Sequence, residues 1–329
     1  MKKMLTCGLV GVGALAVPLG ASLALPLGAG ADAVPPATCS TQMVEVDGIS
    51  LTAALVNPVG TVTGTINAAH CNIGVYFGPG HTGTVKGATV ENANYFGIVN
   101  DGGAVNVTNS AVENIGDSPL DGMQQGVGIY FDKDGNSKGT VESNTVTGYQ
   151  KNGIVVDGVG SSATISGNTV TGQGPTAVIA QNGIEVGYGA TATISGNTVS
   201  KNAYTGTAGV SSSGILVFGG SWLAPNVPYT TGVSVTHNTL TNNDVGVYLY
   251  NSPDGSTAPL TATNDSVVNN TINDMYMSNT YQAGISDFGN HDNIVNNKIG
   301  GAGYQPTSAP TGSVYFAIDP SGSTRPHIK

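Results

Sequence analysis

Ala163-Thr164-Ile165-Ser166-Gly167-Asn168-Thr169-Val170 and Ala192-Thr193-Ile194-Ser195-Gly196-Asn197-Thr198-Val199 are one octapeptide written twice, 29 residues apart. A sequence that repeats at that offset builds stacked units instead of one globular core. Within each copy Ile165 or Ile194 alternates with Thr and Ser, the pattern of a short strand with one apolar face. The Gly-Asn pair bends the chain and Thr-Val opens a second strand. Upstream lies a third, Gly153-Ile154-Val155-Val156 before the first copy and Gly183-Ile184-Glu185-Val186 before the second. Three short strands in each turn of about thirty residues describe a coil of parallel strands.

The frame extends in both directions. Gly followed by Ile or Val opens a strand at Gly74, Gly97, Gly128, Gly153, Gly183, Gly214, Gly246 and Gly284, at intervals of 23 to 38 residues. Asn recurs at one turn position as Asn144, Asn168, Asn197, Asn238, Asn270 and Asn297. Stacked about 4.8 Å apart, these amides can bond to one another and to turn backbone that would otherwise be buried unpaired. The glycines are expected to let the chain turn sharply into the strand.

The Gly-Ile strand, the Asn column and the period resemble the right-handed parallel β-helix repeat proteins of the pectin-lyase-like superfamily, which includes pectate lyases, polygalacturonases and alginate epimerases. The resemblance spans roughly Gly74 to Gly300. It implies an all-β, single-stranded right-handed coil of about eight or more rungs with a cap at each end, and the preference of parallel crossovers gives the same hand. It also implies polysaccharide lying along the first strand of each turn. The resemblance specifies fold more than function, because the repeated residues are those that build the coil, and no active-site motif of a particular enzyme family is found.

Along the chain, Lys2 and Lys3 precede an apolar run from Leu5 to Leu27, and Ala31-Asp32-Ala33 fits a cleavage site. Residues 1–33 therefore read as a signal peptide, which carries Cys7 away and leaves no membrane segment. Residues 34–73 are expected to form the N-terminal cap, 74–302 the helix, and 303–329 a C-terminal cap with a frayed tail. Met43 to Val62 in particular should cover the first open rung. The remaining cysteines, Cys39 and Cys71, are an even count in an exported chain and permit one disulfide.

A net charge of −10 with few charged residues excludes nucleic acid and anionic membranes as partners. The expectation is a monomeric extracellular protein whose partner is a polysaccharide or cell-wall glycan.

Strand alternation places the residue after the inward Ile or Val on the outer face. That column reads Tyr76, Val99, Tyr130, Val155, Glu185, Leu216, Tyr248 and Ser286, with Asp101, Asp132 and Asp157 two positions further on. Gln125, Gln150, Gln181 and Gln282 recur just before the strand; they suit either sugar hydroxyls or an interior amide ladder. Aromatic faces stack on the C–H side of sugar rings, while carboxylates and amides bond to their hydroxyls. Tyr130, Tyr248, Gln150, Gln181 and the loop residue Trp222 are therefore candidate binding residues.

Glu185, Asp157, Asp132 and Lys151 are candidate catalytic residues, since carboxylates one or two rungs apart fall in the range of about 5 to 10 Å used in glycoside hydrolysis. Asp132, Asp134 and Asp157 are an alternative Ca²⁺ set, which with Lys151 as base would serve lyase or epimerase chemistry; no cofactor is otherwise required. A non-catalytic extracellular binding or structural protein is the competing reading.

Overall fold

The computed structural model describes residues 35–132 and 136–329. The expected signal segment, Cys7 and Asp134 lie outside them.

The chain winds into a coil of parallel strands. One ten-stranded sheet runs in chain order from Ala53–Val56 and Ile73–Phe77, through Phe96–Asn100, Val127–Phe131, Asn152–Asp157, Asn182–Gly187, Ser213–Gly219, Val245–Asn251 and Tyr281–Asp287, to Val314–Asp319. All eight Gly-led strands expected from the sequence are in it. A second sheet holds the other two strands of each turn, and there the two octapeptides stack on each other residue for residue. Ala163 pairs with Ala192, Ile165 with Ile194 and Val170 with Val199. Their apolar side chains are fully buried inside the coil, where they meet Ile154, Val156, Ile184 and Val186 from the first sheet.

The Asn column closes the turn between the two octapeptide strands. Asn144, Asn168, Asn197 and Asn238 each donate a backbone N–H and a side-chain N–H to the Oδ1 of the next member, at 2.8 to 3.0 Å. Each also donates to a backbone carbonyl of the preceding rung, as Asn168 does to Val141 O at 2.8 Å. The residue before each Asn is left-handed, with φ of 63° at Gly167 and 57° at His237. The histidine thus serves as a turn residue.

The glycine column has a different cause from the one expected. None of the eight has a positive φ. A Cβ on Gly153 would instead stand 2.5 Å from both Gly183 O and Val170 Cγ1, and its counterparts in adjacent rungs meet the same pair of neighbours. Close packing between rungs excludes a side chain there.

The ends also differ from expectation. Within Met43 to Val62, Val44–Val46 and Ile49–Leu51 form an antiparallel hairpin around Asp47-Gly48, both left-handed, and Ala53–Val56 is already a rung of the first sheet. The hairpin does not cover the end of the coil. It lies on the outer face of the first sheet, where Val44, Val46 and Leu51 pack on Ile73, Tyr76, Phe96, Val99, Val127, Tyr130 and Val155. The end is covered by the preceding segment, through Ala37 N to Asn67 O and Ser40 N to Ala53 O, and a disulfide joins Cys39 to Cys71. At the other end Val314–Asp319 is a further parallel rung, and His327–Ile328, placed in the frayed tail by the sequence, pairs with Asn293–Val295.

Candidate functional site

Alternation holds along the first sheet, so the outer column is where the sequence places it; what covers that column decides which part is usable. Under the hairpin it is closed. Tyr130 is 4% exposed, its ring stacked on Phe96 at 5.1 Å and its hydroxyl donating to Asp47 Oδ2 at 2.9 Å. Val155 is buried beside it. Tyr130 is therefore core beneath a hairpin and offers no stacking face to a ligand.

The glutamines are likewise occupied. Gln150 accepts from Asp117 N and donates to Asp121 Oδ1 and Met123 O, while Gln181 accepts from Gln173 N and donates to Tyr149 O and Gln150 O. Both are fully buried. They pin inserted loops to the coil, which corrects their assignment as binding residues.

Beyond the hairpin the face opens. A cavity of about 570 Å³ lies over the last rungs, lined on one side by Trp222, Tyr248, Tyr250, Tyr281 and Phe288. Tyr248 and Tyr250 alternate outward from Val245–Asn251 and sit 5.0 Å apart. Trp222 reaches in from the Gly219 to Thr231 loop to stand 4.6 Å from Tyr250, and Phe288 meets Tyr250 edge-on at 5.2 Å. These rings are only partly buried. Asn182, Gly209, Val210, Ser211, Ser213 and Leu216 also line the cavity.

Of the expected binding residues, Trp222 and Tyr248 line this cavity. Tyr250 and Phe288 follow from the same alternation applied two residues further. Tyr281 and Asp319 fall outside that alternation: Tyr281 begins its strand five residues before the outward Ser286, out of step with the outer column, and Asp319 belongs to a strand read as a cap.

Lys151 also lines the cavity. Its ammonium donates to Ala180 O at 2.7 Å and faces Glu185, the next rung's outer-column residue. Glu185 is 1% exposed; Asn182 Nδ2 donates to its Oε2 at 2.9 Å, and its Oε1 has no hydrogen-bond partner. Burial pushes the Glu185 carboxyl above the usual range, opposed by the Lys151 charge and by the Asn182 and Asn152 amides.

Asp157 is in register with Gly187, two residues past Glu185 and one rung away, which puts it about 7 Å along the strand from that carboxylate's position. Asp132 lies one rung before Asp157. Both are buried and neither lines the cavity. The structure therefore brings Glu185 and Lys151 together and leaves the two aspartates as a separate column. The Ca²⁺ set needs Asp134, which is outside the described residues. Among those described, no group of three or more His, Cys, Asp or Glu could hold a metal ion.

The fold and this groove define a β-solenoid with a half-open aromatic cleft on its first sheet. The chain belongs to the family described as right handed beta helix region, which matches residues 47–223 and 99–299. Solved structures similar in fold include the Dettilon tailspike protein gp208 (15% identity, TM-score 0.47, covering 84% of this chain and 55% of that one). Pectate lyase Pel9A is similar at 14% identity and TM-score 0.42, with 73% of this chain and 58% of that one covered. A DFA-IIIase from Arthrobacter chlorophenolicus A6, solved without its lid, is similar at 12% identity and TM-score 0.42, with 83% and 65% covered. The chain thus spans little more than half the length of the first two. No curated protein matches the sequence.

Proposed function

We propose that the protein binds a glycan chain in the cleft walled by Trp222, Tyr248, Tyr250, Tyr281 and Phe288. The observation that supports this is the row of partly exposed rings on a rigid sheet, flanked by short polar side chains. Such a wall presents flat apolar faces to sugar C–H groups while Ser211 and Ser321 can meet hydroxyls. Loops on a fixed scaffold supply the ring that closes over the ligand, Trp222. The test is depletion of the protein from solution by a panel of insoluble polysaccharides, compared with Trp222→Ala. Retention of the wild type and loss of the variant is expected; no retention on any polysaccharide overturns the reading.

A catalytic role is the second reading, supported by one observation: a buried carboxyl with a raised pKa lies behind Lys151, a lysine that lines the cleft. Glu185 would hold or release a proton there as general acid or base. Glu185→Gln should abolish release of new reducing or unsaturated ends while sparing binding. Equal product release by both proteins would remove Glu185 from the chemistry.

Export completes the proposal. The Cys39–Cys71 disulfide and the expected signal peptide both suit an oxidising compartment outside the cell. Among the described residues no helix is long and apolar enough to cross a membrane.

A further inference from the structure

We propose that the glycan taken by this cleft is uncharged, an inference that rests on the glycan reading and specifies its chemical class. Two charged side chains line the cavity among the described residues, Lys151 and Asp319. Each is committed within the protein. Lys151 is 4% exposed, its ammonium bonded to Ala180 O and set against the Glu185 carboxyl. Asp319 is 5% exposed; its Oδ2 accepts the Tyr281 hydroxyl at 2.8 Å and its Oδ1 accepts Ser321 N at 3.1 Å. The remaining lining is aromatic, aliphatic, hydroxyl, amide and backbone.

A polyuronate would bring one carboxylate per sugar into this half-enclosed space. It would find no arginine and no uncommitted lysine to replace the water it gives up, beside a chain of net charge −10. A neutral sugar gives up only hydroxyl hydration, which the exposed Ser321 hydroxyl and the Ser211 oxygen, as an acceptor, can restore. Its apolar faces meet five rings. The charge balance of the cleft therefore selects against acidic glycans while the aromatic wall supplies affinity for neutral ones.

The experiment is isothermal titration of the full chain with hexasaccharides of two kinds: cello-, manno- and xylohexaose against hexagalacturonate and hexamannuronate. At least one neutral hexasaccharide should bind at least about tenfold more tightly than either uronate. Its affinity should change by less than about twofold between roughly 50 and 500 mM salt, since no ion pair is screened. Trp222→Ala and Phe288→Ala, each checked for unchanged melting, should weaken the neutral ligand by about tenfold. Uronate binding as tight as neutral binding, or an affinity that collapses with salt, overturns the charge assignment and leaves the cleft a glycan site. Binding of neither kind overturns the glycan reading and this inference with it.

Discussion

Asn168 shows how much one side chain carries in a solenoid. Its amide nitrogen donates to Val141 O and Asn197 Oδ1, and its oxygen accepts from both nitrogens of Asn144. Alanine there orphans buried groups in the rungs on both sides, so Asn168→Ala should lower unfolding free energy by about 3 kcal/mol in denaturant titration, with glycan affinity unchanged. Asn197→Ala should match it, having the same kinds of partner one rung along. Gly153 is the steric counterpart. Its substitution by alanine drives a methyl into Gly183 O and Val170, and a loss of about 1 to 3 kcal/mol is expected in the same titration. Backbone conformation alone would leave alanine harmless here, because the φ of Gly153 is not in the left-handed region; the loss is therefore steric.

The hairpin Val44–Val46 and Ile49–Leu51 is the element that divides the outer face into core and cleft. Tyr130→Ala removes a buried ring stacked on Phe96 and should cost about 3 to 5 kcal/mol while sparing binding, the reverse of what Trp222→Ala should do. Melting curves beside binding isotherms separate the two.

The same element explains what the sequence could and could not disclose. Rungs, the Asn column and the inward-outward alternation were legible because each is a local pattern enforced at every turn: Ile165 and Ile194 must be apolar and Asn168 and Asn197 must cap. Which outward residues are exposed depends on a hairpin about eighty residues from Tyr130, and no periodicity encodes that contact. The glutamines were ambiguous for a similar reason, since their loop partners, such as Asp117 and Asp121, do not recur. A second amide pair was missed because it occurs only twice: Asn202 donates to Asn243 Oδ1 and its own oxygen accepts the Tyr149 hydroxyl.

At the scale of the molecule, buried carboxyls set the response to pH. Burial raises Asp244 to about 6, Asp274 to about 7 and Asp292 to about 8, the last with help from neighbouring Asp287. Each binds its proton more tightly folded than unfolded, so each contribution is full at acid pH and is lost as pH rises through these values. The melting temperature should therefore be higher at pH 5 than at pH 8, by several degrees or more. Asp292→Asn should flatten the upper part of that slope. A melting temperature that rises from pH 5 to pH 8 would contradict the burial assigned to these groups. The disulfide acts at the opposite end of the coil: reducing Cys39–Cys71 opens a loop whose ends are 32 residues apart and should cost about 3 kcal/mol, read as a lower denaturation midpoint.

The two octapeptides occupy consecutive rungs and pair like with like, Thr164 on Thr193 and Val170 on Val199. What one copy offers to the rung above it, the other offers in turn, so a third copy between them would find every donor, acceptor and apolar neighbour already matched. A scaffold of this kind can grow by tandem duplication of a single period, with no compensating change elsewhere. Each duplication would move the cleft about 4.8 Å further from the hairpin and leave both intact. Length is then a heritable variable independent of binding chemistry, and the identical pair at 163 and 192 has the form such an event leaves behind.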